Sequence, residues 1–124
     1  MKRACVLIVE DDFDSRSLLQ ALLSRKGFDV LSAENGLKAL RLLNSFRPDV
    51  IVTDQMMPEM TGLELIRAVR QFKLFSETPI LLLSAYTPGI HDEAIAAGAT
   101  AVLEKPGGTL DLAETLGALL NEQP

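Results

Sequence analysis

The sequence predicts an α/β domain built as a doubly wound parallel sheet with helices on both faces. Three observations carry this. Five apolar runs of strand length, near residues 4–9, 28–32, 50–53, 79–83 and 101–104, alternate with segments whose apolar residues recur at helical spacing. The runs are nearly continuous rather than alternating, as in strands covered on both faces. The connections are of ordinary length, with no linker or low-complexity tract, so residues 1–124 read as a single domain. A chain of this size can bury roughly two-thirds of its unfolded surface around one core.

Taken in order, the first run is followed by Glu10, Asp11, Asp12 and Asp14. Leu18, Leu19, Leu22 and Leu23 then mark a helix that Gly27 ends as a C′ residue. After the second strand, Asn35 caps a helix expected to carry Leu37, Leu40, Leu43 and Phe46 on one side, closed by Pro48. Val50, Ile51 and Val52 form the buried central strand; Asp54 stands where it ends, and Pro58 prevents further pairing. Thr61 and Glu64 have capping-box spacing, and Leu63, Ile66 and Val69 give the third helix its apolar stripe. The fourth strand ends at Ser84. Thr87 and Pro88 predict a capped helix over residues 88–97 with Pro88 in its first position, terminated by Gly98. The fifth strand leads into Lys105 and Pro106, and Leu112, Leu116, Leu119 and Leu120 mark the last helix.

The net charge of −5 and pI near 4.8 argue against non-specific nucleic-acid binding by this chain. No apolar run approaches the roughly 20 residues that span a bilayer. The basic-then-apolar start runs straight into acids with no small-residue cleavage site, so it reads as a first strand in a cytoplasmic protein. The single cysteine, Cys5, is expected to be a small buried hydrophobe. His91 reads as a surface helix residue, and Met56, Met57 and Met60 as loop-to-core packing.

In a parallel α/β sheet, ligands collect outside the carboxyl ends of the strands. There the sequence places Glu10 and Asp11 after the first strand, Asp54 after the third, Ser84 after the fourth and Lys105 after the fifth. Each alone has an ordinary structural reading: an acidic turn, a strand-end serine, a surface lysine paired with Glu104. Together they form a constellation. Three crowded carboxylates call for a cation, and an oxygen-only donor set favours Mg²⁺, which keeps waters and takes one or two carboxylates with phosphate oxygens. Asp54 would then be the nucleophile, with Ser84 and Lys105 meeting the oxygens of a transferring phosphoryl group.

Val9-Glu10-Asp11-Asp12, Asp54 with Met57-Pro58 and Gly62, Ser84-Ala85 and Lys105-Pro106 closely resemble the receiver domains of two-component response regulators, in order and along essentially the whole chain. The resemblance implies strand order 2-1-3-4-5 and an Asp54 that accepts a phosphoryl group from a histidine kinase or phosphotransfer protein. By that likeness Asp11 and Asp54 ligate Mg²⁺ directly, Met56 offers its backbone carbonyl, and Glu10 acts through water. It implies a phosphorylation switch with slow autodephosphorylation rather than a turnover enzyme. The output face would be built from residues 88–97, 101–104 and 109–121. The partners would be an output domain or protein, with a phosphorylation-dependent homodimer also allowed.

Departures from the family pattern bear on the switch. Val102 stands where receivers commonly place an aromatic three residues before the lysine. Tyr86, the only tyrosine, borders the site and is read as a loop residue gating access. Gln55, Met56 and Tyr86 occupy positions expected to tune hydrolysis, and the Lys105–Pro106 bond is one the family often holds in cis. Gly107 and Gly108 replace a usual phenylalanine and predict a less anchored loop. Three other readings stay open: a phosphohydrolase with an Asp nucleophile, a flavin carrier of the same fold, and a degenerate receiver acting only by interaction.

Overall fold

The computed structural model describes residues 3–105 and 111–121. Among these, strands β1 (Cys5–Val9), β2 (Asp29–Ala33), β3 (Val50–Asp54), β4 (Ile80–Ser84) and β5 (Ala101–Glu104) form one sheet. Its order is β2-β1-β3-β4-β5, with every pair parallel. The fold class and strand order expected from the sequence are those observed. The helices are α1 (Phe13–Arg25), α2 (Gly36–Leu43), α3 (Gly62–Arg70), α4 (Ile90–Ala97) and α5 (Leu112–Asn121), with a 3₁₀ turn at Lys73–Phe75.

Successive strand residues point to opposite faces, so each strand feeds two cores. Leu7, Val9, Ile51 and Leu82 pack with Ala39 and Leu43 of α2, Leu65 and Ile66 of α3, and Ala94 of α4. Val6, Ile8, Val52, Leu81 and Leu83 pack on the other side with Leu19 and Leu23 of α1 and Leu112 and Leu116 of α5. Burial on both faces is why the strands read as unbroken apolar runs.

Local chemistry sets most helix ends. Asp12 accepts from the Ser15 amide and starts α1, Asn35 accepts from the Lys38 amide and starts α2, and Thr61 and Glu64 complete the capping box of α3. Gly27, at φ 97°, turns the chain after α1, and the Phe28 amide reaches back to the Leu23 carbonyl.

Four expectations need correction. First, α4 begins at Ile90 rather than at Pro88. The Ile90 amide donates to the Thr87 carbonyl, and Gly89 at φ 83° follows Pro88, so these residues form a type II turn that precedes the helix. Second, the apolar side of α2 is rotated from the leucine stripe. Gly36, Ala39 and Leu43 are buried, whereas Leu37 and Phe46 are 47% and 48% exposed. The helix has only two turns, and Phe46 lies beyond its end. Third, Leu18 of α1 faces solvent beside buried Leu19. Fourth, Met57 is buried and Met60 packs on the core, but Met56 is 74% exposed. Cys5 is half-buried at the mouth of β1, where its amide donates to Asp49 Oδ2 at 2.7 Å. The expected features at Pro106, Gly107 and Gly108 lie outside the described residues.

Periodicity gave no sign of one long-range fastening. The Arg70 guanidinium, half-buried at the end of α3, donates to the carbonyls of Phe75 (2.6 Å), Thr78 (2.7 Å) and Gly98 (2.8 and 2.9 Å). It ties the 3₁₀ turn and the end of α4 to α3. Burial holds its pKa below the usual guanidinium value.

Candidate functional site

The parallel register brings four strand ends to one edge. Asp54 is the last residue of β3, opposite Leu83; Ser84 ends β4 opposite Glu104; and the Lys105 amide donates to the Ser84 carbonyl at 2.9 Å. The Glu10 amide donates to the Ala33 carbonyl at 3.1 Å, which fixes the turn leaving β1. Glu10 and Asp54 are only 4% and 8% exposed, and Ser84 is equally buried. Asp11 is exposed.

Lys105 Nζ lies 2.8 Å from Asp54 Oδ1 and 3.7 Å from Glu10 Oε1. The lysine therefore pairs with Asp54 across the sheet edge, not with its neighbour Glu104. Burial opposes its charge, but the Asp54 and Glu10 carboxylates outweigh burial and hold its pKa above the ordinary lysine value. Glu10 goes the other way. Burial first, then the Asp54 carboxylate, pushes its pKa from 4.5 up to about 7 against the pull of Lys105.

Glu10, Asp11 and Asp54 each present a carboxylate oxygen, all within 4.8 Å of one another. Glu10 Oε2 is buried without a hydrogen-bond partner. A buried carboxylate oxygen is costly unless something positive meets it, and one lysine shared by two acids does not reach it. The donor set, all hard oxygen, and that orphaned atom fit a small divalent cation such as Mg²⁺.

The other expected residues are placed as follows. Ser84 Oγ donates to the Ala85 carbonyl at 2.9 Å, so its hydroxyl must rotate to meet a ligand. Tyr86 is 72% exposed on the loop after β4. Val102 is half-buried and packs on the α3–α4 side of the core. His91 is an exposed residue of α4, 3.7 Å from Asp92. Gln55 is committed: its Oε1 accepts the Leu63 amide at 2.9 Å, so it helps hold the start of α3.

Three positioning features went unread in the sequence. Arg16 Nη1 donates to the Glu10 carbonyl at 2.8 Å and the Asp11 carbonyl at 3.4 Å, clamping the acidic turn from α1. Asp12 is spent on capping α1, which separates it from its acidic neighbours; its three-residue spacing to Ser15 was the available signal. Gly62 runs so close to β3 that an added Cβ would lie 2.4 Å from the Asp54 carbonyl oxygen. Its amide donates to the Gln55 carbonyl at 3.0 Å. Nothing in the local sequence marks Arg16, since its acceptors are backbone atoms.

Residues 6–117 match the response regulator receiver domain family. The chain is 40% identical over 108 residues to a protein-glutamate methylesterase/protein-glutamine glutaminase of Halobacterium salinarum, a match covering 84% of this chain and 30% of that protein. The chain thus spans less than a third of that relative's length. Among solved structures it resembles the chemotaxis response regulator CheY4 of Vibrio cholerae, with TM-score 0.89, 37% identity, and 95% and 99% of the two chains covered. It is also similar to the response regulator TrrA of Thermotoga maritima in complex with Mg²⁺-BeF, with TM-score 0.82, 31% identity, and 94% and 98% coverage.

Proposed function

Because the chain belongs to the response regulator receiver domain family, we propose that it is a phosphoacceptor switch in two-component signalling, with Asp54 as the acceptor. The observation that carries this is the Lys105–Asp54 ion pair at 2.8 Å, set beside Glu10 and Asp11 at the strand ends. Residues 1–124 are read as one receiver domain acting in the cytoplasm. Among the described residues no helix is long and apolar enough to cross a membrane.

Asp11, Asp54 and the Met56 backbone carbonyl would hold Mg²⁺, with Glu10 acting through water. When bound, the ion neutralises charge on the phosphoryl oxygens. An Asp54 carboxylate oxygen attacks phosphorus of a phosphohistidine, the P–N bond breaks, and its electron pair returns to the imidazole, which takes up a proton. Lys105, already beside Asp54, stays with the transferred group and balances its negative charge. Ser84 turns its hydroxyl from the Ala85 carbonyl to a phosphoryl oxygen. Hydrolysis of the aspartyl phosphate by water resets the site, so the chain acts on itself rather than turning over a metabolite.

Phosphorylation turns the singly charged Asp54 carboxylate into an acyl phosphate carrying about −1.5 to −2 charges, at a nearly buried position. The response travels through Ser84 and Lys105, which sit at the ends of β4 and β5, toward α4, β5 and α5. That face would engage the output domain or protein, or a second phosphorylated copy. Val102 has no ring to bury, so the rearrangement proceeds without an inward-turning aromatic there. A sensor histidine kinase or histidine phosphotransfer protein supplies the group.

The test is intact-mass measurement after incubation with Mg²⁺ and acetyl phosphate. A base-labile phosphoryl adduct on wild type, missing from Asp54→Asn and from samples with chelator, is expected. An adduct that survives in Asp54→Asn would refute the assignment.

A further inference from the structure

Away from the strand-end site, a groove of about 450 Å³ runs along the open side of β2, between α1 and α2. Its charge opposes that of the chain. Arg16, Lys38 and Arg41 line it against the single carboxylate of Glu34, on a protein of net charge −5. Glu34 pairs with Lys38, its neighbour one helical turn on, leaving two cationic side chains in excess. Leu42 and half-exposed Phe46 give one end an apolar floor.

The groove also borders unpaired sheet backbone. Within the sheet β2 pairs only with β1, so its other side is an edge. The Asp29 amide donates to the Ala4 carbonyl and the Ala33 carbonyl accepts from the Glu10 amide, so residues 29, 31 and 33 face β1. By alternation, the peptide groups of Val30 and Ser32 face outward, and Ser32 itself lines the groove. An extended strand fits here better than a compact anion, because backbone donors and acceptors run alongside the cationic side chains.

We propose that this groove docks an extended acidic peptide segment of a partner protein, which adds as a sixth strand outside β2. Its backbone pairs with Val30 and Ser32, its carboxylates meet Arg16 and Arg41, and an apolar residue covers Leu42 and Phe46. The site is distinct from the α4–β5–α5 face and does not depend on the phosphoryl chemistry.

The probe is an acetylated peptide alternating glutamate and valine with a terminal phenylalanine, titrated into the full chain and followed by backbone-amide NMR. The Val30 and Ser32 amides should shift most and become protected from solvent exchange. A glutamine-for-glutamate peptide and the Arg41→Glu variant should each bind about tenfold or more weakly. Ser32→Pro removes an outward N–H, which an edge strand tolerates, and should abolish binding. Both variants should still accept a phosphoryl group from acetyl phosphate, which shows that they are folded. The proposal fails if the Val30 and Ser32 amides do not respond, if the glutamine peptide binds as well, or if Arg41→Glu has no effect. It also fails if citrate competes fully for the groove without protecting those amides, or if sedimentation shows a second copy of the chain covering this edge.

Discussion

Gly62→Ala tests how tightly the start of α3 is built against the candidate acceptor. The added Cβ would meet the Asp54 carbonyl oxygen at 2.4 Å, Leu82 Cδ1 at 2.7 Å and Gln55 Cα at 3.0 Å. Two of these are backbone atoms and cannot rotate aside, so relief requires α3 and β3 to part by roughly 1 Å to reach ordinary contact. Overpacking of this kind costs about 1–3 kcal/mol. The gain from alanine's helix preference is small at the first helical position. The move also strains the Gly62 amide bond to the Gln55 carbonyl and the Leu63 amide bond to Gln55 Oε1. Urea unfolding should show a loss of about 1–3 kcal/mol with an unchanged m value, and acetyl phosphate labelling should slow as Asp54 is displaced. Gly117→Ala in α5 is the matched control, because nothing lies within 4 Å of its added Cβ. It should be neutral or stabilising by up to about 1 kcal/mol. Equal stability of Gly62→Ala and wild type, or equal effects of the two substitutions, would refute the close-approach argument.

Other expectations concern charge and fastening. Lys105→Ala removes the cation 2.8 Å from Asp54, so phosphoryl labelling should fall about tenfold or more while Mg²⁺ affinity, by isothermal titration, stays level or rises; weaker Mg²⁺ binding would contradict the assigned roles. Glu10, raised from 4.5 to about 7 in the fold, contributes stability that is fully present below pH 4.5 and lost as pH rises through 7, since the native state holds the proton longer. In chelator, thermal stability should therefore decline across that window, and Glu10→Gln should flatten the decline. Added Mg²⁺ should restore stability above pH 7 in wild type and do little at pH 4.5. Arg70→Ala strands the Phe75, Thr78 and Gly98 carbonyls and should cost about 2–3 kcal/mol in urea unfolding. Arg70→Lys should recover only part of it, because an ammonium cannot reproduce the planar fork.

The sequence by itself determined the architecture and which side chains stand at the strand ends. Both depend on local or repeating signals: apolar runs buried on two faces, caps such as Asn35 and Thr61 that satisfy amides within one turn, and the rule that parallel strands deliver their ends to one edge. Tertiary structure alone decided what each side chain does there. Asp11 and Asp12 are chemically alike in sequence, yet a bond to the Ser15 amide takes Asp12 out of the cluster. Lys105 faces two acids from other strands rather than adjacent Glu104, and Ser84 turns its hydroxyl to the Ala85 carbonyl. Arg16 and Arg70 find backbone carbonyls that no side-chain pattern announces. The late start of α4 and the exposed Leu37 share that cause: periodicity encodes which side of a helix is apolar, whereas where it begins and how far it rolls is set by the surface it packs against.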